Sequence, residues 1–208
     1  TTGVVTNEFV SNFCSKSERL IPFGSIDFSS RHTPSQQLEY VILELGMKGL
    51  KLFHRIHTLE GEFYCMMSEV PKNALKKRKF TELTISNPKI VLKPAKFENR
   101  VGWGPPAVKV GKEYLLLLHG VDKETMWYRV FAILMDENGK ITAATPHYIM
   151  EPRESCEVYG DRPFTVFPCG LCRFDDKLIV SYGAADSAIG IGEIDLSEVM
   201  SILDSNRV

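Results

Sequence analysis

The chain has 208 residues, 44% of them hydrophobic and 25% charged, and a formal net charge of −1 at pH 7. These values are ordinary for a soluble globular protein, and so small a net charge provides no field that would attract nucleic acid or an anionic membrane. A membrane-spanning helix needs an apolar run of about 18 residues, and the sequence contains none. We therefore expect neither a nucleic-acid partner nor a membrane partner.

Residues 1–53 have the pattern of an α/β segment. Apolar residues recur at helical spacing in "NEFVSNFCSKSE", and the short apolar run "RLIPFGSID" predicts a strand. The stretch "PSQQLEYVILELG" predicts a helix that ends at the capping Gly46, and "MKGLKLF" predicts the next strand. A strand, a crossover helix and a parallel strand form a βαβ unit. We therefore predict a first domain, residues 1–53, built on one βαβ unit.

Residues 54–208 have a different pattern, in which short strands alternate with tight turns. The turn sequences "VGKEY", "DENGK" and "FDDKL" are rich in Gly, Asp and Asn, and each separates two apolar runs, as in antiparallel hairpins. Regular hairpins of this kind are typical of propellers and sandwiches. The stretch "LSEVMSIL" predicts a short terminal helix. The predicted fold class is therefore α+β, a βαβ segment followed by a mostly antiparallel β domain.

The cysteines indicate the cellular compartment. They are five in number and scattered, which favours free thiols in a reducing, cytoplasmic environment. Cys169 and Cys172 form a C-x-x-C motif within a strand–turn–strand pattern. A redox or metal motif would require a helix N-terminus or a second cysteine pair. We therefore predict that both cysteines pack along one strand.

The second domain carries a series of motifs that resemble one enzyme family. In chain order they are "GPP" at 104–106, "HGV" at 119–121, "YR" at 128–129, "IMEP" at 149–152, "VFPCG" at 166–170 and "YGAAD" at 182–186. The segment resembles the C-terminal half of the β-mannoside phosphorylases and their β-1,2-mannosidase relatives. The resemblance implies a five-bladed β-propeller, of which this chain would hold about three blades. It also implies inverting cleavage of a β-mannoside by inorganic phosphate, with no cofactor.

The same resemblance implies roles for four residues. His119 and Tyr128 match phosphate-site positions of the phosphorylases, and Arg55 in "LFHRI" matches their phosphate-binding arginine. Asp186 matches the residue that holds sugar hydroxyls. The family's general acid is an Asp in the N-terminal half of the propeller, and no counterpart motif lies upstream here. The catalytic acid is therefore unknown, and the chain is expected to be catalytically incomplete.

The chemistry of these residue types agrees with the implied roles, although each residue also has a structural interpretation. Arginine, histidine and tyrosine supply donors for a phosphate dianion. Without the resemblance, the structural interpretation is favoured for each: His119 as the cap of a buried strand, Tyr128 as a core aromatic and Asp186 as a turn residue. Arg162 is explained either as a site residue or as the partner of Asp161 in a local ion pair.

The first domain resembles a different family. Residues 7–52 are similar to an internal segment of the metal-dependent amidohydrolases related to aminocarboxymuconate-semialdehyde decarboxylase, which are (β/α)₈ barrels. The metal ligands of that family lie mostly outside this segment. His54 and His57 form H-x-x-H, but two histidines without further ligands are a weak zinc signal. We therefore predict no metal site.

The stretch "LFHRIHTLEGEF" is accordingly interpreted as a junction between two unrelated segments. A natural fusion, a mis-assembled gene and a designed fusion all fit. The expected ligands are a mannose-containing oligosaccharide and phosphate, and a homo-oligomer remains open. The alternatives are a phosphate- or mannoside-binding module without chemistry, a purely structural chimera in which the βαβ segment covers an open sheet edge, and, remotely, an amidohydrolase.

Overall fold

The computed structural model describes residues 51–69 and 86–208 of the chain. The chain divides into two compact units, one of Thr1–Leu52 with Ser68–Pro88 and the other of Phe53–Met67 with Lys89–Val208. The second unit holds nearly all of the described residues. The predicted βαβ segment lies outside the described residues except for its last three positions, so the domain boundary after residue 53 stays a prediction.

The described residues form eleven strands and two short helices. The strands are β1 (Lys51–His57), β2 (Phe63–Glu69), β3 (Ser86–Leu92), β4 (Glu98–Trp103), β5 (Val108–Val110), β6 (Glu113–Asp122), β7 (Tyr128–Met135), β8 (Ile141–Ala144), β9 (Val166–Phe174), β10 (Lys177–Ala184) and β11 (Ala188–Asp195), and the helices are α1 (Ser155–Val158) and α2 (Leu196–Asp204). β1 runs without a break through the predicted junction after Phe53.

These strands make three separate sheets. Their orders are β1-β2-β3, then β4-β6-β7-β8 with β5 also paired to β6, and β11-β10-β9. The strand pairs of the second and third sheets are antiparallel. The prediction of a mostly antiparallel β domain is therefore confirmed, whereas the propeller and its number of blades stay predictions.

The three predicted hairpin turns are all present, and each has a local cause. Between β5 and β6 the chain reverses at Gly111, whose φ of 59° suits glycine. Between β7 and β8 the Asp136 carboxylate accepts hydrogen bonds from the backbone N–H groups of Asn138 and Lys140. Between β9 and β10 the turn residue Asp175 is left-handed, with φ 52°, a conformation that Asp tolerates better than most residues.

Strand β6 lies between two hydrophobic cores. Its leucines alternate, so that Leu115 and Leu117 belong to a core shared with β9, β10 and α2, while Leu116 and Leu118 belong to a second core that includes Cys65 of β2. Successive side chains of a strand point to opposite faces, and a strand buried on both faces is continuously apolar. The run "LLLL" is therefore explained by burial of both faces of β6.

The C-terminal helix α2 is confirmed where the sequence predicted it. The Asp195 carboxylate caps it by accepting hydrogen bonds from the N–H groups of Ser197 and Glu198. Its buried face consists of Leu196, Val199 and Leu203. None of the helices in the described ranges has the length and hydrophobicity of a membrane-spanning segment.

The structure differs from the sequence-based interpretation at two places: one expectation is wrong and one strand was missed. Cys169 and Cys172 lie on one strand as predicted, but both are exposed, because β9 is buried only up to Pro168 and then runs out of the core. Strand β4 was not predicted, since its sequence "ENRVGW" contains a glycine and precedes a Pro-Pro turn. Its pairing with β6 makes it a strand in spite of this local signal.

Candidate functional site

A cleft of about 540 Å³ opens in the second unit. It brings together all four residues that the family resemblance singled out, Arg55, His119, Tyr128 and Asp186. They reach it from β1, β6, β7 and the turn after β10. The full lining is Phe53, His54, Arg55, Arg100, Gly102, Trp103, His119, Tyr128, Arg162, Thr165, Phe167 and Asp186.

His119 lies within β6 and is packed on three sides. The antiparallel register places it opposite Gly102 of β4, and a Cβ atom at Gly102 would lie only 2.4 Å from the imidazole Cε1. The ring centroids of Phe167 and Tyr128 are 4.4 and 5.8 Å from that of His119. The glycine is therefore required for the histidine to lie there. Because β6 continues to Asp122, His119 is not the cap of a strand.

His119 is neutral at physiological pH. Its side chain is 4% exposed, and burial lowers its pKa from 6.5 to about 4. The charges of Arg55 and Arg100 contribute to this lowered pKa, although a backbone hydrogen bond at Trp103 acts in the opposite direction. A neutral imidazole has one N–H donor and one acceptor. Nδ1 is buried and has no hydrogen-bond partner.

Three arginines line the cleft. The guanidinium carbons of Arg55 and Arg100 lie 4.9 and 5.3 Å from the ring centroid of Phe63. That of Arg162 lies 4.7 Å from the ring centroid of Tyr128. Aromatic faces attract cations, so these rings help to hold the guanidinium groups in place.

None of the three arginines forms an ion pair with a described carboxylate. The expected pair between Asp161 and Arg162 is therefore absent, and Arg162 lines the cleft instead. Arg100 was missed because β4 was not predicted as a strand. The segment "ENRVGW" begins with three consecutive polar residues and shows no polar–apolar alternation, so periodicity gave no signal for this strand.

Asp186 lies at the tip of the β10–β11 hairpin. Ala185 and Asp186 have φ values of 47° and 53°, and the N–H of Ser187 donates to the carbonyl of Ala184 at 3.0 Å. Two successive left-handed residues closed by this bond form a type I′ turn. Asp186 is thus both a turn residue, as its local sequence suggests, and an exposed carboxylate on the cleft.

Hydrogen bonds connect this turn to the segment before β9, which we call loop 160–165. The N–H of Arg162 donates to the carbonyl of Ala185 at 2.9 Å, and the N–H of Ala185 donates to the carbonyl of Thr165 at 2.9 Å. The N–H of Asp161 donates to the Ser187 hydroxyl at 2.8 Å. The positions of Arg162 and Asp186 are therefore coupled through the backbone.

Glu157 of α1 is hydrogen-bonded to loop 160–165 through its backbone carbonyl, and its carboxylate is held in place by three donors. Its carboxylate accepts hydrogen bonds from the N–H groups of Arg153 and Glu154 and from the Tyr182 hydroxyl, at 2.7, 2.9 and 2.7 Å. Burial alone would raise the pKa of Glu157, but these donors hold it below its ordinary value. The carbonyl of Glu157 accepts from the N–H of Thr165. The buried carboxylate thus anchors the loop that carries Thr165.

The two histidines of the H-x-x-H motif do not act together. His54 lines the cleft, whereas the His57 ring stacks on Phe63 with a centroid distance of 4.2 Å. Within residues 51–69 and 86–208, no group of three or more His, Cys, Asp or Glu side chains is placed to hold a metal ion.

The cleft is suited to an oxyanion next to a polyhydroxylated ligand. Three guanidinium groups face a single lining carboxylate, Asp186, and histidine, tyrosine and threonine add neutral donors. Charge-assisted hydrogen bonds from arginine are among the strongest that phosphate receives. A carboxylate accepts hydrogen bonds from hydroxyl groups, and Trp103 and Phe167 supply apolar walls.

Comparisons with known proteins agree with this chemistry. Residues 22–205 match the protein family described as beta-1,4-mannooligosaccharide phosphorylase. The chain is 34% identical over 102 residues to a 1,2-beta-oligomannan phosphorylase of Thermoanaerobacter sp. strain X514, with 48% of this chain and 34% of the relative covered. A beta-1,2-mannobiose phosphorylase of the same strain is 35% identical over 102 residues, with 48% and 33% covered.

One solved structure with the same fold is the beta-1,2-mannobiose phosphorylase of Listeria innocua in complex with beta-1,2-mannobiose. It matches with a TM-score of 0.57 and 22% identity, covering 77% of this chain and 48% of that one. The chain thus spans about half of that structure and about a third of the two curated relatives. The family match includes residues 22–53, which lie within the predicted first domain.

Proposed function

Because the chain belongs to glycoside hydrolase family 130, the family of the mannooligosaccharide phosphorylases, we propose that it forms the phosphate-binding part of a β-mannoside phosphorylase. Arg55, His119 and Tyr128 bind inorganic phosphate, together with Arg100. Asp186 accepts hydrogen bonds from mannose hydroxyls. The observation that carries the proposal is the convergence of these residues, from separate strands and a turn, on one cleft.

In the proposed reaction a phosphate oxygen attacks the anomeric carbon of a β-mannoside. The new bond joins that carbon to the phosphate oxygen, the bond to the leaving sugar oxygen breaks, and a general acid protonates that oxygen. The products are mannose 1-phosphate and a shortened sugar. The guanidinium groups hold the dianion in position and need no reorganisation when it reacts. His119, being neutral, contributes one directed N–H donor without further charge.

The general acid is not accounted for by the cleft. Asp186 is the only carboxylate among the described residues that line it, and the proposal assigns it to the sugar. Inverting enzymes use two carboxyl groups to cleave glycosides with water, whereas phosphate replaces the activated water here, so one acid suffices. In the proposal that acid comes from a further polypeptide segment or from a second copy of the chain in a homo-oligomer.

An activity assay tests the catalytic form of the proposal. The purified protein is incubated with inorganic phosphate and either β-1,2-mannobiose or β-1,4-mannobiose, and ³¹P NMR follows mannose 1-phosphate, with the oligomeric state measured by light scattering. We expect product only with phosphate present, and about tenfold less of it from Asp186→Asn at subsaturating mannobiose. Absence of product at every protein concentration, including those at which oligomers form, would contradict turnover by this chain.

A second candidate function is binding without chemistry. It is favoured by the coverage, since the matches extend over only 34% and 33% of the curated phosphorylases. Isothermal titration with phosphate and with mannose separates the two candidates. Binding without product release supports a binding module, and absence of both leaves the structural chimera. The remote amidohydrolase alternative predicts a metal-dependent hydrolysis that chelators abolish.

The proposal also covers the architecture and the location of the protein. The three separate sheets correspond to about three blades of the propeller that the family resemblance implies, with the cleft in its central funnel. The amidohydrolase-like βαβ segment of residues 1–53 stays a prediction, because residues 1–50 lie outside the described residues. Scattered free cysteines favour a cytoplasmic protein.

A further inference from the structure

Two buried polar atoms at the cleft lack hydrogen-bond partners. Among the described residues only three buried side-chain atoms are unpaired, and two of them, His119 Nδ1 and Thr165 Oγ1, belong to residues that line the cleft. Thr165 is 1% exposed, yet its backbone N–H and carbonyl are both hydrogen-bonded. A buried hydroxyl without a partner is unfavourable. A ligand that accepts its hydrogen bond would remove this penalty.

Arg162 provides a second, independent observation on the same loop. Its guanidinium lies over the Tyr128 ring and pairs with none of the carboxylates in the described ranges, although Asp161 is its chain neighbour. An exposed ion pair with Asp161 would contribute at most about 1 kcal/mol, so little is lost when the guanidinium lies elsewhere. Here the side chain turns to the cleft, where it adds a third positive charge.

The backbone of loop 160–165 is held in a conformation that places Arg162 and Thr165 on the cleft together. Phe164, between them, has a φ of 57°, which is rare for a bulky side chain and costs stability. Its ring stacks on Trp127 with a centroid distance of 4.4 Å, and its carbonyl accepts from the N–H of Tyr128 at 3.0 Å. Strain of this kind persists where the surroundings over-determine it, often at binding sites.

We propose that loop 160–165 is a second arm of the phosphate site, in which the Arg162 guanidinium and the Thr165 hydroxyl bind the oxyanion together with Arg55 and Arg100. This inference rests on the proposed function and adds two ligand-binding residues to it. Arg55 acts electrostatically on His119, and Arg162 lies over Tyr128, whose ring is 5.8 Å from that of His119. The guanidinium groups and the His119–Tyr128 pair therefore lie in the same cleft.

A tetrahedral dianion fits this arrangement better than a neutral sugar. Sugar hydroxyls need acceptors as well as donors, and Arg162 offers only donors. The Thr165 hydroxyl can donate or accept, and its unpaired O–H is available to an acceptor oxygen. Phosphate presents several acceptor oxygens in different directions, so it can bond to donors on two sides of a cleft. The remaining lining carboxylate, Asp186, is connected to Arg162 through the Ala185 carbonyl and lies where the sugar would meet the phosphate.

The charge of Arg162 is tested by titrating the full chain with inorganic phosphate. Wild type, Arg162→Gln and Arg162→Lys are compared by calorimetry at fixed ionic strength, with sulfate as a second oxyanion. Arg153→Gln is the matched control, because Arg153 is exposed and pairs with Glu151 away from the cleft. We expect Arg162→Gln to weaken phosphate binding by about tenfold or more and Arg162→Lys to weaken it less. An Arg162→Gln affinity equal to that of Arg153→Gln would overturn the role of Arg162.

The hydroxyl of Thr165 is tested by two variants, one that removes it and one that keeps it. Thr165→Val keeps the shape and removes the unpaired hydroxyl, so its Tm should rise by about 2–4 °C without ligand, while phosphate affinity should fall several-fold. Thr165→Ser keeps the hydroxyl and should retain most of the affinity. If Thr165→Val binds phosphate as tightly as the wild type, the hydroxyl is not a ligand.

The two levels of the proposal fail in distinguishable ways. If the wild type does not bind phosphate, both the proposed function and the second arm are wrong. If the wild type binds phosphate, and Arg55→Gln weakens that binding while Arg162→Gln and Thr165→Val do not, only the second arm is wrong. Loss of affinity in all three variants, without loss of folding, supports both.

Discussion

At the scale of single residues, the site depends on the missing side chain of Gly102. The imidazole of His119 occupies the space that a Cβ atom at position 102 would take. Because β4 has no Cβ atom at position 102, β6 can bury a histidine there, in contact with Tyr128 and Phe167. The choice of glycine is explained by this close approach and not by any turn.

Gly102→Ala should therefore displace His119. We expect a loss of about 1–3 kcal/mol in the free energy of unfolding, the usual result of overpacking, and phosphate binding weakened by about tenfold. Chemical denaturation and calorimetric titration measure the two effects. Gly192→Ala is the control, because a Cβ atom there would meet only an atom at 4.0 Å. Equal effects of the two substitutions would contradict the packing argument.

The burial of His119 also predicts a dependence of stability on pH. Its pKa is about 4 in the folded chain and near 6.5 when unfolded. A lowered folded pKa stabilises the protein above the unfolded value, and this contribution is lost as the pH falls from about 6.5 to about 4. The shift corresponds to roughly 3 kcal/mol.

Urea denaturation of the ligand-free protein between pH 7.5 and pH 4 measures this effect. His119→Gln should lose less stability over that range than the wild type. His147→Gln, at an exposed histidine, should behave as the wild type does. Parallel stability curves for His119→Gln and the wild type would show that the histidine is not buried in its neutral form.

At the scale of elements, a tight turn and a short loop determine what reaches the cleft. The β10–β11 turn holds Ala185 and Asp186 in the left-handed conformation, which is uncommon for residues other than Gly, Asn and Asp. Loop 160–165 holds Phe164 in the same region of φ. The hydrogen bonds between the two segments offset the cost of these conformations and join the backbone at Arg162 to the turn that carries Asp186.

Asp186→Asn tests the turn and the sugar contact separately. Asparagine tolerates the left-handed conformation at least as well as aspartate, so the free energy of unfolding should change by less than about 0.5 kcal/mol. Mannose affinity should fall by about tenfold, because a carboxylate binds hydroxyls more strongly than an amide does. Phosphate affinity should stay the same or increase, since a negative charge is removed. A loss of phosphate binding would contradict the assignment of Asp186 to the sugar.

At the scale of the whole molecule, β6 connects two hydrophobic cores to one cleft. Leu116 contributes to the core with β2 and β4, and Leu117 to the core with β9, β10 and α2. His119 follows Leu117 by two residues in β6 and is paired with Gly102 of β4. Packing of the strand on both faces therefore fixes the position of the imidazole.

Leu116→Ala and Leu117→Ala should each lower the free energy of unfolding by about 2–5 kcal/mol, the usual cost of a cavity in a core. Because the two side chains belong to different cores, the double variant should show nearly additive losses. Equilibrium denaturation of the two single variants and the double variant measures this. A strongly non-additive result would indicate that the two cores unfold as one packed cluster.

Much of the local structure was predictable from the sequence. The three hairpin turns and α2 follow from Gly, Asp and Asn at reversals and from helical spacing after Asp195. Strand β4 was missed because it contains a glycine and is followed by two prolines, residues that argue against a strand. Arg100 was missed with it. Arg162 was left open because an adjacent aspartate offered a simpler local partner.

The sequence by itself determined the hairpin turns, the terminal helix and the resemblance to a phosphorylase family, because these depend on residue types at short spacing. Only the tertiary structure decided that Arg55, His119, Tyr128 and Asp186 share a cleft, and that Arg100, Arg162 and Thr165 join them. Such groups come together through strand pairing and packing between residues far apart in the chain. The residues next to each of these groups in sequence do not indicate which side chains the group will contact. They also do not indicate which hydroxyl will be buried without a hydrogen-bond partner.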